Sequence, residues 1–145
     1  MLNIGGINRQ LGGISTLGTS IKSFSDLERL IERGIPKPAL NALIDTMTEE
    51  KMGPSPECVR AVLVSKTAFR RHSTFKGASA ERILRAAHLR ALAESVIGNG
   101  RRANQFLFHS HPELGGITPF EASSSEIGAR AAEGILESAA FGLPL

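Results

Sequence analysis

The residues best equipped for chemistry lie in one short run, Ser65-Lys66-Thr67-Ala68-Phe69-Arg70-Arg71-His72. Ser65 carries the hydroxyl acceptor that suits a helix start. Four-residue spacing puts Lys66 beside Arg70, and Thr67 beside Arg71, on adjoining parts of one helical turn. A guanidinium pairs bidentately with guanine or with a phosphate. A helix entering the major groove uses short polar and basic groups of this kind at its N-terminal end. Ser65, Lys66, Thr67, Arg70 and Arg71 are therefore candidate DNA contacts. The same pattern also suits a scaffold or dimerisation helix, and it does not separate the two.

The remaining chemistry-bearing residues lead elsewhere. His109-Ser110-His111 looks like half of a metal site, but no second ligand cluster stands at matching spacing. A structural or surface role is expected for these histidines, and no metal. No serine sits in a strand-to-helix elbow, and scattered glutamates do not form an acid–base pair. No catalytic residue is assigned and no enzyme is expected. The lone cysteine, Cys58, stands among apolar residues and is read as buried filler. His88 is expected in the core or at an interface.

The elements that position these residues are helical. Ser25 and Glu28 are spaced as a capping box before Leu27, Leu30 and Ile31, with Gly34 as a stop. A second helix is expected from Pro38 to Met47, and a third from Pro56 to Val62. That third helix, a tight turn and the Ser65 helix form a helix-turn-helix pattern. A long helix from Ser79 to Ile97 is apolar on several sides, as befits a central helix. Further helices are expected near 101–108, 118–122 and 124–140. In the last, Ile127, Ala131, Ile135 and Ala139 are expected on one face, opposite Glu126, Arg130, Glu133 and Glu137. No segment shows sustained strand alternation, so the expected fold class is an all-α helical bundle.

Three stretches are expected: a flexible Gly-rich arm over 1–23, a helix-turn-helix DNA-binding or dimerisation region over 24–77, and a C-terminal helical domain over 78–145. The net charge of +3 hides a division within the 145 residues. Ten basic side chains face only Glu81 and Glu94 between residues 60 and 102. Beyond residue 102, Arg130 stands against five glutamates. A basic middle suits a polyanion and an acidic end suits a basic protein. No apolar run approaches the roughly 20 residues of a membrane span, and residues 1–23 lack the pattern of a signal peptide. One cysteine fits a reducing cytoplasm.

The segment from Pro112 through Leu114-Gly115-Gly116 and Thr118-Pro119 to Glu126-Ile127-Gly128-Ala129-Arg130 resembles the toxin-binding domain shared by Xre, MbcA and ParS antitoxins. The motif covers about the last 45 residues, and a looser likeness extends over residues 23–145. This chain departs from the pattern at Phe106, where relatives carry Trp, at Ile117, where they carry Arg or Lys, and at the polar Ala122-Ser123-Ser124. The resemblance implies a type II antitoxin that neutralises a RES-domain toxin, a class similar to ADP-ribosyltransferases that consumes NAD. It implies no cofactor of its own, a homodimer, and autorepression by binding operator DNA. Its C-terminal helix and tail would lie across the toxin's cleft, with Glu126, Arg130, Glu133, Glu137, Phe141 and Leu143 as contacts. Leu114, Gly115, Gly116, Thr118 and Pro119 would form the connector that aims this helix.

Overall fold

The computed structural model describes residues 2–50, 53–142 and 145. Apart from one two-residue strand pairing, the regular structure among these residues is helical. Most helix starts carry the side-chain acceptors the first backbone N–H groups require. Asn3 caps α1 (Ile4–Gln10), and the very short α2 (Ile14–Leu17) follows. The stretch expected as a flexible arm is thus folded, and it places Ile7, Leu11, Leu17 and Ile21 in the core. The signal was its spacing: Ile4, Ile7 and Leu11 share one helical face. Gly6 gives close approach here rather than slack, since a Cβ on it would stand 2.8 Å from the Ala91 Cβ.

The capping box of α3 (Phe24–Arg33) is Ser23 with Asp26, two residues before the expected Ser25–Glu28 pair. Asp26 accepts backbone N–H bonds from Lys22 and Ser23 at 2.9 and 3.1 Å. Those donors hold its carboxyl below the ordinary aspartate range. After Gly34, β1 (Ile35–Pro36) pairs antiparallel with β2 (Thr74–Phe75), joining Ile35 to Phe75 and Pro36 to Thr74. Two residues per strand give no alternation to detect, which is why sequence patterning finds no sheet here.

Then come α4 (Lys37–Met47), α5 (Pro56–Leu63) capped by Ser55, and α6 (Lys66–Arg71) capped by Ser65. The central helix, α7 (Gly77–Ile97), buries Ala80, Ala86, Ala87, Ala91 and Ala93. These small side chains let α1, α8 and α10 approach it closely. α8 (Gly100–Leu107), capped by Asn99, packs beside α7. Among the described residues no helix is long and apolar enough to cross a membrane.

One hydrophobic cluster runs from Ile7 to Leu136 and includes residues of all three expected stretches. Arg90 is buried within it at 2% exposure. It donates to Glu94 and Gln10 at 2.8 Å and to Asn104 at 2.9 Å, and Asn104 donates onward to the Thr46 carbonyl at 3.0 Å. One guanidinium therefore ties α1, α7 and α8 together, and Asn104 extends the tie to α4.

Candidate nucleic-acid and partner interfaces

Two surfaces gather the residues singled out by sequence. The first is the pair α5–α6, joined by Val64 and Ser65. Ser65 accepts the Ala68 N–H at 3.1 Å, so its hydroxyl is engaged in the cap. Lys66, Thr67, Arg70 and Arg71 are exposed. Phe69 turns inward and stacks on Phe75, centroids 6.2 Å apart, seating α6 against β2.

Only part of the basic middle is available to a polyanion. Arg60 is buried, donating to the Val64 carbonyl and to Glu57, the latter at 2.6 Å. That contact holds the Glu57 carboxyl below its ordinary range. Arg82 donates to the Leu63 carbonyl at 3.0 Å. Arg85 donates to the carbonyls of Ser123 and Ser124 at 3.0 and 2.8 Å. With Arg90 in the core, four of the ten cations hold the fold together. Composition counts charge but not where it is spent.

The second surface belongs to the C-terminal helices. A single 3₁₀ turn, Pro112–Leu114, is capped by the His111 ring, whose Nδ1 accepts the Glu113 N–H at 3.2 Å. His111 thus has a structural role. Leu114 is half-buried, and Gly115 and Gly116 take φ of 69° and 87°, angles L side chains resist. Thr118 and Glu121 then form a capping box for α9 (Pro119–Ala122), and Pro119 is buried. Phe120 meets Phe108 edge-to-face at 5.3 Å, fixing α9 to the end of α8.

α10 (Glu126–Ala140), capped by Ser125, crosses α9 with almost no gap. A Cβ on Gly128 would sit inside the Ala122 backbone carbonyl and 2.9 Å from Ser125 Oγ. Only glycine fits. This contact sets the rotation of α10, and it turns inward Ala129, Ala132, Ile135 and Leu136. The residues expected on one face therefore do not share one environment: Ile135 is buried, whereas Ile127 is 84% exposed. With 3.6 residues per turn, Ile127, Ala131, Gly134, Ser138 and Phe141 share an outward stripe, and Phe141 is 88% exposed.

Glu126, Arg130 and Glu137 line one edge of that stripe and are exposed, with Glu126 and Arg130 paired at 3.3 Å. Glu133, expected beside them, faces inward instead and meets His88 Nδ1 at 2.8 Å. Leu143 lies outside the described residues. Between α3, α7 and α10 a hollow of about 390 Å³ is walled by Leu27, Ile31 and Leu84, with Phe24 at its mouth. Phe24 is 61% exposed and was missed by sequence reasoning. Its place at the first position of a capped helix was the available signal.

A larger cleft, about 610 Å³, opens among α4, α5, α8 and α9 over Met47, Val59, Val62 and Phe108. Cys58 lines it and is exposed, contrary to the expectation of buried filler. Cys58 falls one helical position before Val59, which takes the inward direction.

The chain matches no protein-family description and no curated protein.

Proposed function

We propose that this chain is the antitoxin of a type II toxin–antitoxin pair, neutralising an NAD-consuming, ADP-ribosyltransferase-like RES-domain toxin through α10. The observation that carries this reading is the pair of exposed apolar side chains, Ile127 and Phe141, at the two ends of one outward stripe on a helix firmly seated by caps and close packing. A partner gains most from apolar anchors ringed by polar groups. Glu126, Arg130 and Glu137 line one edge of these anchors, and a cleft built for a dinucleotide's phosphates is basic enough to favour the two glutamates. In this reading the chain acts by binding rather than catalysis, in the cytoplasm and as a dimer, and α10 excludes the dinucleotide from the toxin.

The second half of the proposal is autorepression, with α5–α6 as a helix-turn-helix. Its support is the exposed Lys66, Thr67, Arg70 and Arg71 on a helix whose other side is pinned by Phe69. The test is co-expression with the protein encoded in the neighbouring reading frame. Relief of its growth arrest, with the two chains purifying together, supports the antitoxin. DNA binding without any toxic neighbour would leave a free-standing regulator, and a protein complex without DNA binding would leave an adaptor.

A further inference from the structure

We infer that Lys37 and Lys76 form a second cationic arm beside α6, one that takes the phosphate backbone of duplex DNA. The inference rests on the DNA-binding reading of α6 and adds residues from outside the two-helix unit. The β1–β2 pairing creates the arm, because it brings the start of α4 against the end of α6. Lys37 N–H donates to the Ser73 carbonyl at 2.9 Å. Its Nζ then stands 4.7 Å from the centroid of the Phe69 ring. The aromatic ring that seats α6 thus also holds the Lys37 ammonium at its flank. Lys76 follows β2 directly, and its stem lies over Gly34: a Cβ there would stand 2.9 Å from Lys76 Cγ.

Among the described residues, neither ammonium forms an ion pair with a carboxylate, and the same holds for Lys66, Arg70 and Arg71. Glu57, the acidic group near Lys66, is taken up by Arg60. Three cations on α6 itself, Lys37 at its Phe69 flank and Lys76 just past β2 are thus all without a carboxylate partner among the described residues. Lys37, bonded to Ser73, and Lys76 lie past the C-terminal end of α6, and a phosphate contact there sets register rather than reads bases.

Fluorescence anisotropy of the full chain tests this, using a 30-base-pair duplex from upstream of its own reading frame and an unrelated duplex of equal length. Each phosphate contact contributes about 0.9 to the slope of log affinity against log salt. Lys37→Gln with Lys76→Gln should reduce that slope by about 2 and weaken both duplexes equally, with Lys37→Arg and Lys76→Arg restoring it. Arg70→Ala with Arg71→Ala should instead erase the preference for the upstream duplex. An unchanged slope in the glutamine variant, alongside lost preference in the arginine one, overturns the arm and spares the DNA reading. Absence of salt-dependent binding by the native chain overturns both. Equal affinity for single-stranded DNA overturns the duplex assignment.

Discussion

His88 Nδ1 and Glu133 Oε1 lie 2.8 Å apart, joining the central helix to the C-terminal one. The pair is largely shielded, with side-chain exposures of 12% and 22%. Glu133 is therefore occupied within the molecule, whereas Glu126, seven residues earlier, makes only an exposed pair with Arg130. The two glutamates should separate experimentally. Glu133→Ala should cost about 1.5–3 kcal/mol in urea unfolding, the range for a hydrogen bond to a charged group. Glu126→Ala should stay within about 0.5 kcal/mol, as exposed pairs do, and act only on partner affinity.

Arg90 is the costliest cation to remove. Arg90→Met keeps much of the volume but leaves Gln10, Glu94 and Asn104 without their shared donor. Breaking a buried charged network costs about 3–5 kcal/mol, which corresponds to a Tm lowered by roughly 10–16 °C. Arg70→Ala, on the exposed face of α6, should leave thermal unfolding nearly unchanged.

Two glycines of α10 should respond in opposite directions. Gly128→Ala drives a methyl group into the Ala122 carbonyl and should destabilise the chain by about 1–3 kcal/mol, as overpacking does. Gly134 has nothing within 4 Å of the Cβ direction. Gly134→Ala in mid-helix should stabilise by roughly 0.5–1 kcal/mol. Chemical denaturation of both variants checks the pair.

Asp26 should contribute to the acid limb of the stability curve. Its folded carboxyl is held low by the Lys22 and Ser23 backbone N–H groups, so it binds a proton less readily folded than unfolded. The contribution is complete above the ordinary aspartate value of 3.8 and is lost as pH falls through the lower folded value. Asp26→Ala should therefore be less stable than the native chain at neutral pH, and the gap should close at strongly acidic pH. Unfolding at fixed denaturant across pH 2–7, a range taken from carboxylate titration in general, measures the gap.

Much of the helical plan was legible from punctuation and spacing. The bounds of α4, α5 and α7 follow from Pro38, Pro56, Gly98 and the apolar intervals between them. Three features were not legible, and each depends on contacts distant in sequence. Residues 1–23 read as slack because glycine serves both flexibility and close approach, and only α7 shows which applies at Gly6. The rotation of α10 is set by Gly128 against Ala122, so intervals of four along the helix grouped the buried Ile135 with the exposed Ile127. The basic run of residues 60–102 mixed core, carbonyl-bound and free cations that have the same one-letter codes. Ser65, Lys66, Thr67, Arg70 and Arg71 did emerge together on one short helix and its cap.

The measurement closest to the central claim is the affinity of the purified full chain for the protein of the neighbouring reading frame. A chain ended before Leu136 would confuse the result, because Leu136 is fully buried. Ile127→Asp with Phe141→Asp is the better probe, since both side chains are exposed and the fold should keep its native Tm. Apolar anchors at the centre of an interface are worth about 2 kcal/mol or more each, so the double variant should bind roughly 1,000-fold more weakly and fail to relieve toxicity. Native affinity and full neutralisation by that folded variant would contradict the assignment of α10 as the inhibitory surface.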